Sequence, residues 1–199
     1  MKRAVHIALL RGINVGTAKR VAMTDLRVLL EELGYGDVRT LLNSGNIVFS
    51  AAKAEPRKAA LRIEKALSVK LRVLARVLVL SAEELDEVVE RNPLGRVADN
   101  PSRLLVGILS DAADQEKLAE IAKKEWGKER ISLGEVRSGT KPAGGKGAAR
   151  AFYMWMPEGV IKSKLNAAVS KVLGDQVTAR NWATMLKLKE MAGEVGFDG

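Results

Sequence analysis

Apolar residues recur along this chain with two periods, and the switches between them mark the elements. Ala4–Leu10 is an apolar run broken only by His6, which suits a strand buried on both faces. Thr24 can cap a helix, and Leu26, Leu29, Leu30 and Leu33 follow at helical spacing until Gly34 and Gly36 stop it. Val38–Leu42 and Asn46–Ser50 are short β-branched or apolar runs around the turn signal Asn43-Ser44-Gly45. Helical spacing returns over Glu55–Lys70, with Ile63 and Leu67 on one face, and Arg72–Leu80 closes as a strand. Ser81-Ala82-Glu83-Glu84 is a capping box that opens a helix over Ser81–Arg91, and Asn92-Pro93 ends it.

The second part of the chain repeats that order. Arg103–Leu109 is a strand, and Asp111 caps a helix carrying Leu118, Ile121 and Ala122. Arg130–Val136 and Arg150–Met156 are strands, and Ile161, Leu165, Ala168, Val169 and Val172 mark a helix. Gln176–Ala179 is a short strand, and Asn181 caps a last helix through Met191. The predicted class is α+β: a tandem duplication of two ferredoxin-like (βαββαβ) units, each with a trailing helix. The expected domains are residues 1–92, which are basic, and 93–199. Element order carries the repeat; residue identity between the halves is weak.

This topology sets the third strand beside the first and antiparallel to it. The end of strand one then abuts the start of strand three, bringing Arg11-Gly12-Ile13-Asn14 next to Asn43-Ser44-Gly45-Asn46. In the second half the same corner holds Ser110-Asp111 and the glycine-rich, basic stretch Ser138–Gly147.

Composition removes several chemistries. Cysteine is absent, so disulfides, thiolate metal sites and a cysteine nucleophile are excluded. His6 is the one histidine, and its place in an apolar strand favours a packing role over a zinc ligand or triad base. No pair of carboxylates stands out for acid–base work; Glu116, Glu120 and Lys124 sit at the spacing of a solvated helix face. No catalytic residue, metal or cofactor is assigned. The N-terminal apolar run ends at Arg11 without a cleavage signal, and no stretch reaches the length of a membrane span. A cytoplasmic location without a membrane partner is expected.

Charge changes the picture. The formal net charge is +9. Residues 1–80 hold 15 Lys and Arg against 6 Asp and Glu, whereas residues 81–199 hold 18 against 18. All the excess lies in the first part. It points to an acidic partner, nucleic acid or another polyanion, with simple solubility as the alternative.

The candidate ligand-binding residues are Arg11, Asn14, Ser44, Asn46, Arg180, Asn181 and Trp182. Arg11 and the backbone amides of its glycine-containing loop could hold an anion, although no Walker motif is present. Alternatively, Arg11 and Asn14 bond neighbouring loop carbonyls and hold the corner together, and Ser44 and Asn46 are explained as turn residues. Asn181 serves as a helix cap, while Arg180 beside Trp182 could stack on a base or ring. In Phe152-Tyr153-Met154-Trp155-Met156, period two puts Tyr153 and Trp155 on one sheet face, either open as in RNA-recognition sheets or covered by the other half of the chain or by the trailing helix.

Three strings resemble those of domain-of-unknown-function family 1697: Leu9-Leu10-Arg11-Gly12-Ile13-Asn14-Val15-Gly16, Ser44-Gly45-Asn46-Ile47-Val48-Phe49 and Thr178-Ala179-Arg180-Asn181-Trp182-Ala183-Thr184. Asp25–Leu30 and Ser163-Lys164-Leu165 resemble it too, so the likeness spans nearly the whole chain. Thr17 follows Gly16 where a second glycine is usual, and Leu42-Asn43 precedes Ser44 where Ile-Gln is common. The resemblance implies two ferredoxin-like repeats and no assigned activity. Three functions remain in view: a polyanion-binding protein, an enzyme or sensor for a small anionic or phosphorylated ligand at the strand-end loops, and a ligand-free interaction scaffold.

Overall fold

The computed structural model describes residues 3–14, 20–52, 55–134 and 150–197. The fold is α+β, with two four-stranded antiparallel sheets and six α-helices among these residues. The contacts divide the chain into two compact units, one of Met1–Ala82 with Leu188–Gly199, the other of Glu83–Lys187. This differs from the expected 1–92 and 93–199. The helix after the fourth strand counts with the second unit, and the end of the last helix counts with the first.

The first unit contains β1 (Ala4–Arg11), α1 (Met23–Glu32), β2 (Gly36–Leu41), β3 (Asn46–Ala51), α2 (Pro56–Lys70) and β4 (Arg76–Ser81). Its strand order is β2-β3-β1-β4, every pairing antiparallel. Both central strands are buried on both sides, which is why β1 and β3 lack the alternation of a half-exposed strand. One sheet face packs Ala8, Leu10, Ile47 and Phe49 against Leu26 and Leu30 of α1 and Ile63 and Leu67 of α2. Burial of each such leucine or isoleucine stabilises the unit by about 1.5–3 kcal/mol.

Helix boundaries follow local chemistry. Thr24 is not the cap of α1; Ala22 holds that position without a side-chain bond, and Thr24 falls inside the first turn. The C-terminus is a Schellman motif. Gly34, at φ 82°, donates to Glu31 O at 2.9 Å, and Tyr35 N donates to Leu30 O at 3.2 Å. Pro56 opens α2 at a position where no N–H is needed.

The second unit holds α3 (Ala82–Glu90) from Glu83 onward, β5 (Leu104–Leu109), α4 (Ala119–Ala122), β6 (Arg130–Leu133), β7 (Ala151–Trp155), α5 (Lys164–Leu173), β8 (Val177–Asn181) and the start of α6 (Trp182–Phe197). Its strand order, β6-β7-β5-β8, repeats that of the first sheet with every pairing antiparallel. Leu109, Phe152 and Met154 pack against Leu118, Leu165 and Val169. On the other face, buried Tyr153 donates its hydroxyl to Val88 O at 2.7 Å, fixing α3 to this sheet.

Two expected helices differ in detail. Asp111 does act as a cap, accepting from Ala113 N at 3.1 Å, but it opens a 3-10 helix over Ala112–Leu118 that precedes the short α4. Ile161 lies outside α5 and is fully exposed, because Ser163 caps that helix by accepting from Asn166 N at 2.9 Å.

Candidate functional site

The predicted corner of the first unit forms through strand register. Leu9 pairs with Asn46, and Leu10 N donates to Gly45 O at 2.8 Å, so the end of β1 meets the β2–β3 turn. Gly45 is required there. Its φ is 71°, and a Cβ would stand 2.6 Å from Leu10 Cβ.

Asn14 is the hub of this corner. Its Nδ2 donates to Val21 O at 2.9 Å and to Asn43 O at 2.8 Å, and its Oδ1 accepts from Val21 N at 2.8 Å. It sits at φ 55°, a left-handed conformation that asparagine tolerates better than most residues. One side chain thus ties both ends of its own loop to the β2–β3 turn. Asn46 is fully buried and donates Nδ2 to Leu41 O at 2.9 Å and to Ser44 Oγ at 2.8 Å, closing the same turn from inside. Ser44 is exposed and Arg11 half-buried. Arg11 ends β1 directly opposite Arg76 of β4. Two cations in such a cross-strand pair repel unless an anion lies near. Glu64 partly answers this: it accepts from Val77 N at 2.8 Å and lies 3.7 Å from Arg76.

Helix α2 carries Arg57, Lys58, Arg62, Lys65 and Lys70, all exposed. Its acidic residue Glu64 is turned toward β4. Lys58 pairs with Glu55 at 3.0 Å, both side chains exposed, and Lys70 pairs with Glu32 of α1. Exposed pairs of this kind hold their partners weakly.

Arg180, Asn181 and Trp182 belong to the second unit, so the seven candidates fall into two groups. Arg180 lies within β8 opposite Val106, and its Nη1 donates to Ala179 O at 2.8 Å. Burial pushes its guanidinium down to about 10, which still leaves it cationic at neutral pH. Asn181 caps α6, its Oδ1 accepting from Thr184 N at 2.9 Å, and Trp182 is half-buried in the first turn. The stretch Ser138–Gly147 lies outside the described residues. Tyr153 and Trp155 share a face, as period two requires, but both are buried and offer no stacking platform.

Reading the sequence missed the opposition of Arg11 and Arg76. Its signal was the strand register, since the two are 65 positions apart and share no motif. The structural alternative for Asn14 and Asn46 is what the side chains adopt: their amides go to backbone carbonyls and a neighbouring hydroxyl.

Fold and corner together define an α+β protein of two antiparallel sheets, with a hydrogen-bonded loop corner at the end of its first strand. The family model described as protein of unknown function (DUF1697) matches residues 3–137, and the chain belongs to that family. Comparison with curated proteins finds no match. Among solved structures the chain is similar to the conserved bacterial protein SP0830 from Streptococcus pneumoniae. Identity is 24%, with 96% of this chain and 99% of that one covered, and the TM-score is 0.73. At that identity the likeness concerns the fold. None of the helices among the described residues is long and apolar enough to cross a membrane.

Proposed function

We propose that this chain is a cytoplasmic polyanion-binding protein, with nucleic acid as its partner class, built from two ferredoxin-like repeats. The strand orders β2-β3-β1-β4 and β6-β7-β5-β8 support the repeat. One observation carries the binding reading. The whole excess charge lies in residues 1–80, and α2 exposes five cations while its glutamate faces the sheet. Such a face attracts phosphates at long range and releases counterions on contact. Arg11 and Arg76 extend the cationic surface at the strand end, with Asn14 and Asn46 as the scaffold that holds it and Ser44 at its rim. Arg180, Asn181 and Trp182 form a second candidate contact, where arginine and tryptophan neighbour one another.

The test is anisotropy of a labelled single-stranded oligonucleotide. With about four phosphates neutralised, the logarithm of affinity falls with the logarithm of salt at a slope near −3, so binding drops about 50-fold between about 50 and 200 mM salt. The double reversal Arg57→Glu, Lys65→Glu weakens low-salt binding at least about tenfold and flattens that slope. Absence of binding at low salt, or binding indifferent to both salt and the reversals, refutes the proposal.

A further inference from the structure

A cleft of about 390 Å³ opens in the first unit between the turn after α1 and the first two turns of α2. Its size falls within the range of small-molecule sites, about 300–1,000 Å³. The space exists because alanines line it: Ala51 and Ala59 are buried at its base and Ala52 is exposed at its rim. A larger side chain at any of the three would fill it.

One wall is fixed and charged. Tyr35 packs on Phe49 with ring centroids 4.5 Å apart, and the Arg62 guanidinium lies 5.4 Å from the Tyr35 centroid. Arg62 is held over the cleft by donating to Leu33 O at 3.0 Å and by its side-chain hydrogen bond with Tyr35. The nearby guanidinium of Arg3 donates to Gly34 O at 3.2 Å and adds a second cation at that turn. One turn earlier on the same face of α2, Lys58 meets the carboxylate of Glu55 in an exposed pair that a bound anion could replace at little cost. The lining is therefore apolar below and net positive above.

We propose that this cleft binds a small organic anion: a compact apolar body that lies on the alanines, ending in a phosphate or carboxylate held by Arg62 and Lys58. The inference shares Lys58 and Arg62 with the cationic face of α2 but differs from the polyanion reading in concerning one anion seated in a cleft rather than a string of surface phosphates.

The experiment titrates the whole chain with phenyl phosphate, inorganic phosphate and phenol while backbone amide shifts are followed. Phenyl phosphate saturates, moves the amides of Leu33, Tyr35 and Lys58, and binds at least about tenfold more tightly than either fragment. Arg62→Gln weakens it about tenfold, the loss expected for a charge-assisted pair. Ala52→Phe, placed at the exposed rim so that folding is spared, abolishes it. The same Ala52→Phe variant keeps wild-type binding to the oligonucleotide, which separates failure of this site from failure of the polyanion surface. No saturable shift with any of the three probes overturns the proposal. Inorganic phosphate as strong as phenyl phosphate, or wild-type affinity in both variants, overturns it equally.

Discussion

Replacing Asn14 by alanine removes three hydrogen bonds of 2.8–2.9 Å and leaves a residue at φ 55° without the side chain that makes this conformation tolerable. Each bond contributes about 0.5–1.5 kcal/mol net, and water at this half-buried site recovers part of that. The left-handed backbone adds about 1 kcal/mol for alanine. The expected loss is about 3 kcal/mol, or about 6–12 °C in melting temperature for a chain of this length. Asn14→Gly keeps the backbone at ease and loses only the bonds, so it falls about 1 kcal/mol short of alanine. Asn14→Asp keeps the shape but turns a donor into an acceptor facing the carbonyls of Val21 and Asn43; it destabilises at least as much as alanine. Thermal melts followed by circular dichroism, repeated in urea, order the three variants. If Asn14→Ala melts within about 1 °C of the wild type, the amide does not hold the corner, and it is then available for a ligand.

Two further outcomes rest on buried groups. Burial lowers the pKa of His6, whose ring nitrogens find no hydrogen-bond partner among the described residues. The unfolded chain therefore binds the proton more readily: the neutral ring's contribution is complete above about pH 6.5 and is lost as pH falls through the lowered folded value. Urea midpoints measured from pH 7.5 to 5 decline in the wild type and decline less in His6→Phe; equal slopes would show that His6 is not the group. Gly107 lies opposite Phe152 in β5, and a Cβ there would run into the Phe152 ring. Gly107→Ala costs about 1–3 kcal/mol through overpacking, seen as a lower urea midpoint, and an unchanged midpoint would mean the ring moves freely.

The sheet skeleton was legible because its signals are local. Ala4–Leu10 is apolar on both faces, and Asn43-Ser44-Gly45 turns between two short runs, which was enough to place the end of β1 against the start of β3. Strand limits were less legible where backbone geometry decides. Arg72 takes φ 56°, so β4 starts only at Arg76, and β8 runs on to Asn181, two residues beyond the expected end. The assignment of α3 could not be read at all. Leu85 and Val88 announce an apolar face, but an apolar face does not say which sheet it will meet. For the candidate site, the meeting of Asn14 with Asn46 and the option that their amides hold the loops were legible from strand adjacency. Which carbonyls they meet was not, because only the folded loops bring Val21, Asn43 and Leu41 near. The cleft beside Tyr35 is defined by missing volume at Ala51, Ala52 and Ala59, and small residues give no periodic signal.

Arg39 of β2 and Glu194 of α6 form a 2.7 Å ion pair inside one compact unit, although the chain between them passes through the whole of the other. The order of synthesis and the order of completion therefore diverge. As the polypeptide leaves the ribosome, the first sheet has all its strands once Ser81 has emerged, yet its unit stays unfinished until the residues past Leu188 arrive. The second unit, encoded in between, has every one of its residues in hand before the first does. A translational pause or nonsense codon just before Leu188 would thus leave the first unit incomplete although all its strands have been made.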